Sequence, residues 1–83
     1  MSTKEKLIER FKRIPSDFTF DELLRLFMAL GFTINNKGAT SGSRVRFEKG
    51  KDVYNLHRPH PGNIVSRIAL RDVFFFLNNL NLL

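Results

Sequence analysis

An α+β fold is what this sequence predicts: a three-stranded antiparallel sheet with helices packed on one of its faces. Three observations carry the expectation. Apolar residues recur at helical spacing in three separate stretches. Between residues 43 and 57 they alternate instead with polar ones, at the period of a strand. Short runs rich in Gly, Asn and Pro punctuate these stretches. The resulting order is helix, helix, strand, strand, strand, helix, and it leaves the second sheet face uncovered.

The first helix is expected over residues 3–14, TKEKLIERFKRI. Leu7, Phe11 and Ile14 make one stripe with Ile8 beside it, and charged residues fill the rest. Pro15, Ser16 and Asp17 end it. A sharp start signal follows. Thr19 and Glu22 are spaced as a capping box, and Phe18 and Leu23 as the hydrophobic staple around it. From Phe20 onward, Leu23, Leu24, Phe27 and Leu30 hold one face, and Gly31 is placed to be a left-handed C-terminal cap. Phe32-Thr33-Ile34-Asn35 alternates briefly as a first strand. Residues 36–42, rich in Gly, Ser, Thr and Asn, connect it to what comes next.

That next stretch organises the chain. Ser43, Val45 and Phe47 point one way, and Arg44, Arg46 and Glu48 the other; Lys49-Gly50-Lys51 turns the chain, and residues 52–57, DVYNLH, return. Only an even loop sets Val45 and Phe47 on the face of Tyr54 and Leu56, because a one-residue slip inverts a strand. Arg44, Arg46, Asn55 and His57 then share the other face. If the loop runs from Lys49 to Asp52, Arg44 lies directly across from His57. After the hairpin, Pro59 and Pro61 hold Arg58 and His60 in a stiff basic segment. Ser66 caps a last helix, from residue 67 to about 80, whose stripe is Leu70, Val73, Phe74, Leu77 and Leu80. Phe74, Phe75 and Phe76 are consecutive, each turned by about 100° from the last. Phe75 therefore falls beside Ile68, away from the stripe, as an apolar patch suited to a partner.

Length and composition bound the rest. Eighty-three residues make one domain with a single thin core. The absence of cysteine gives no support for disulfides or a thiolate metal site. No leader is recognisable, and the longest apolar tract, residues 73–77, is too short to span a bilayer, so a soluble cytoplasmic protein is expected. The formal charge is +6; residues 1–36 carry +1 of it and residues 37–83 carry +5. The excess lies on the hairpin and beyond it, which favours a polyanionic partner.

A helix ending in Gly31-Phe32 is followed by Gly42-Ser43-Arg44-Val45-Arg46-Phe47, then by Pro59-His60-Pro61 and a closing helix. In this order and separation the sequence resembles the HicA toxins of bacterial toxin–antitoxin pairs, from Thr19 onward. Residues 1–16 read as an N-terminal helical extension of a single HicA-like domain. The resemblance implies a fold similar to the double-stranded-RNA-binding domain, a metal-independent mRNA interferase activity without a cofactor, and neutralisation by a small HicB-like antitoxin. The family's strand motif is Gly-Ser-His, and its histidine is the catalytic residue; here that position is Arg44.

Cleaving RNA without a metal needs a group to take the 2′-hydroxyl proton, and positive charge on the phosphorane. Histidine suits proton transfer, with an unperturbed pKa of about 6.5. Arginine cannot be the base, yet its planar fork fits a phosphate. The expected catalytic set is therefore His57 with Arg44, and His60 as a proton carrier or loop residue. Ser43, Arg46, Lys49, Lys51, Asn55 and Arg58 are the expected RNA contacts, and Ile68 and Phe75 the partner surface. Three readings follow: an RNA-cleaving toxin, an RNA-holding module of the same fold that has lost its base, and an interaction protein working through the last helix.

Overall fold

The computed structural model describes residues 3–35, 44–59 and 62–83. Three helices, α1 (Thr3–Lys12), α2 (Phe20–Ala29) and α3 (Arg67–Asn79), accompany three strands, β1 (Thr33–Asn35), β2 (Arg44–Lys49) and β3 (Asp52–His57). The strands form one antiparallel meander in the order β1-β2-β3, and helices pack on its apolar face, as the residue pattern predicts.

Helix α1 stops two residues before its periodicity does. The residue preceding a proline is pushed out of the helical region, and Ile14, before Pro15, takes φ +49°. That conformation is strained for a β-branched side chain; Arg67 of α3 donates from Nε to the Ile14 carbonyl at 3.0 Å and helps to hold it. Phe11 is fully buried, with its ring 5.7 Å from Phe18 and 6.1 Å from Phe74. Helix α1 thus shares the core.

The capping box of α2 is present in both halves: Thr19 Oγ1 accepts from the Glu22 amide, and Glu22 Oε1 accepts from the Thr19 amide. Its other end closes through Gly31 at φ +98°. The Phe32 amide reaches the Phe27 carbonyl and the Gly31 amide that of Met28, with the Phe27 and Phe32 rings edge to face at 5.0 Å. This is the six-to-one and five-to-two bonding of a Schellman closure, with its hydrophobic contact. Helix α3 ends in the same bonding through Asn81 at φ +61°, and begins at Ser66, whose Oγ accepts from the Ala69 amide.

A stack of rings joins helix layer to sheet. Phe27 lies parallel to Phe47 at 3.9 Å, and Tyr54 meets Phe76 at 4.9 Å. Leu70, Val73 and Leu77 form the buried stripe of α3, flanked by the half-buried Phe74 and Phe76. Two residues apart on a helix means about 200° of rotation, so these two rings grip the core from opposite sides. One connection has no sequence signal. After the Pro59 segment the chain returns alongside the start of α2: Thr19 bridges Ile64, the Phe20 amide donates to the Asn63 carbonyl, and the Val65 amide donates to that of Phe18.

Candidate functional site

The hairpin pairs Lys49 with Asp52 across a two-residue loop, Gly50-Lys51, and Gly50 stands at φ +60°. A glycine at positive φ in the first loop position matches the strand twist. Every further pair follows from that loop. Val45 faces Leu56 and Phe47 faces Tyr54 on the helix side; Arg44 faces His57, and Arg46 faces Asn55, on the other. Val45 and Phe47 are buried, whereas Arg44, Arg46, Asn55 and His57 are all exposed. This is the register expected for a loop running from Lys49 to Asp52.

Strand β1 widens this open face. Asn35 pairs with Arg46 and Thr33 with Glu48, so a row Asn35–Arg46–Asn55 crosses all three strands below the Arg44–His57 pair. The next row is Thr33–Glu48–Val53, and Thr33 Oγ1 donates to the Glu48 carbonyl. Arg46 is not left to itself: its Nε donates to Glu48 Oε2 two residues along the same face. The face therefore carries one paired guanidinium, one at the strand end beside an imidazole, and two amides. Asn35 and Thr33 belong to it only through β1–β2 pairing, and no spacing in the sequence reveals that.

Lys49 is placed elsewhere than expected. It has the parity of Val45 and Phe47, so the pleat turns it to the helix side. There its Nζ donates to the Leu30 carbonyl at 2.8 Å, at the C-terminal end of α2. A cation at that end complements the helix dipole. Lys51 is exposed in the turn. Arg58 is exposed with its guanidinium 5.2 Å above the Phe20 ring, a cation–π seat that steers it back along the molecule. Ser43 and His60 lie outside the described residues.

On α3, Ile68 is 78% and Phe75 66% exposed, and they occupy the side opposite the buried stripe. The C-terminal residues Leu82 and Leu83 pack on the core rather than over them. Tyr54 donates its hydroxyl to Asp72 of α3; burial first, and this bond second, push its pKa up. On the far side, Arg10 binds Glu22 and Asp17, which raises its own pKa and holds the Glu22 carboxyl below its ordinary range. Among the described residues no three His, Cys, Asp or Glu side chains gather as a metal site. No helix among them is long and apolar enough to cross a membrane.

No curated protein and no solved structure matches the chain significantly. The family model described as the HicA toxin of bacterial toxin–antitoxin matches residues 20–81, from the first residue of α2 to just past the end of α3. That match takes in about three quarters of the chain, including the whole sheet that carries Arg44 and His57, and so the chain belongs to the HicA toxin family.

Proposed function

We propose that this protein is a metal-independent endoribonuclease acting on mRNA in the cytoplasm, held inactive by a small HicB-like antitoxin. The elements α2-β1-β2-β3-α3 are read as a double-stranded-RNA-binding-domain-like unit, with α1 added before it. The observation that carries the reading is the direct pairing of Arg44 with His57 on an exposed sheet face. A phosphate held by the Arg44 fork would bring the neighbouring 2′-hydroxyl to the imidazole. His57 then takes the hydroxyl proton as the 2′-oxygen attacks phosphorus. The bond from phosphorus to the 5′-oxygen breaks, and that oxygen leaves with a proton drawn from solvent. Arg44 offsets the charge that builds on the phosphorane. Arg46, Asn55 and Lys51 extend the contact along the backbone of the RNA. Ile68 and Phe75 form the surface for the antitoxin.

Arg44, standing where the family has its histidine, favours a second reading in which the face holds RNA without cutting it. Cleavage of an RNA in excess chelator separates the two. Wild type is expected to cleave. His57→Ala is expected to lose about 10²–10⁴ in rate, the worth of a positioned acid or base, and to lose less in RNA affinity than in cleavage. A wild-type protein that binds RNA and leaves it intact establishes the second reading.

A further inference from the structure

A cleft of about 280 Å³ opens where the end of β3 meets the start of α3. Leu56, Pro59, Val65 and Ala69 give it apolar walls, and His57 and Ser66 supply its polar groups. It sits at the margin of the sheet, since among the described residues no strand lies beyond β3. Ile64, also in its lining, is 47% exposed and keeps the mouth apolar. His57 thus belongs to two surfaces at once: the open sheet face, opposite Arg44, and the wall of this cleft.

We infer that the cleft receives one unstacked nucleobase of single-stranded RNA, that of a nucleotide flanking the phosphate held at Arg44 and His57. The inference rests on the RNA reading above and adds a base-binding subsite to it. Size and lining support it. The volume lies just under the roughly 300–1,000 Å³ of drug-sized ligand sites, and mostly apolar walls with a few polar groups are the usual composition of such sites. A flat base offers two apolar faces and a polar edge, which is the complement of these walls. Protein surfaces that recognise single strands splay bases out, stack them on rings that include histidine, and read their edges by hydrogen bonds. Ser66 Oγ accepts from the Ala69 amide, and its O–H remains available as a donor to a base edge. Charge favours the same ligand: Arg44 pairs with His57 across the strands, so a phosphate held there would lie next to a lining residue of the cleft. A base inside a duplex cannot enter, so the subsite selects unpaired RNA.

The test compares binding of a short single-stranded RNA with that of the same RNA carrying one abasic ribose at each position in turn. At one position, loss of the base should weaken binding to wild type by about 5- to 150-fold, the range that a stacked base carries. Ala69→Leu, which fills the cleft, should bind the intact RNA as weakly as the abasic one. Adenosine monophosphate should shift the methyl resonances of Leu56, Val65 and Ala69 in the wild-type protein, and ribose phosphate should not. That arm holds whatever the stability of the variant. Equal binding of every abasic RNA, or equal shifts from both small ligands, overturns the subsite and leaves the RNA reading standing. No binding of any RNA overturns both.

Discussion

Arg44 and Lys49 stand five residues apart on one strand, and the odd separation sends their charges to opposite sides of the sheet. Arg44 meets His57 in the open; Lys49 is spent on the end of α2. Their removal should therefore be felt in different measurements. Lys49→Ala is expected to cost about 0.3–1 kcal/mol of stability, the worth of a cation at a helix C-terminus, and to leave the salt dependence of RNA binding unchanged. Arg44→Ala should leave thermal unfolding nearly unaltered and reduce the slope of log affinity against log salt by about 0.7, one phosphate contact on a single strand. That Arg44 and His57 share a face was legible because the alternation of apolar residues admits only an even loop; their direct pairing followed only for a loop from Lys49 to Asp52. The fate of Lys49, expected among the RNA contacts, was missed: its parity was the one local signal, and its partner is a carbonyl nineteen residues away.

At the scale of elements, local chemistry and distant chemistry separate cleanly. Thr19, Glu22, Gly31 and Ser66 act within a turn of their own helix, and each was readable from neighbours three or four residues off. The bridge of Thr19 to Ile64 and the clasp of Arg10 on Glu22 join segments that only the folded core brings together. That clasp gives α2 a pH dependence. The Arg10 hydrogen bond, aided by the Thr19 amide, lowers the pKa of Glu22 in the folded chain. An unfolded glutamate, titrating near 4.3, binds its proton first as pH falls. Stability from Glu22 is then present above the unfolded pKa and drains away as pH drops through the folded one. Thermal unfolding at pH 6 and pH 3 should show Glu22→Gln less stable than wild type at the higher pH, with a smaller further loss in acid.

Across the whole molecule, one basic-and-amide face and one apolar helix side point outward from a shared core. Ile68 and Phe75 lie on α3, whose other side is anchored by Leu70, Val73 and Leu77. Large exposed aromatic residues make effective interface anchors. Phe75→Glu is expected to keep the unfolding transition of the isolated protein and to weaken the proposed complex with an antitoxin by tenfold or more, as titration calorimetry would read it. A collapse of the transition instead would place Phe75 in the folding core.

The family match starts at Phe20, but the folding unit does not. Phe11 is sealed from water, and it shields Phe18 and Phe74, one just before the matched region and one within it. Those two rings depend for their cover on a helix outside the matched pattern. Shedding α1 would uncover part of both aromatic rings and add to the apolar surface that Ile68 and Phe75 already present. The presence of that helix is therefore felt at residue 74, more than fifty positions downstream.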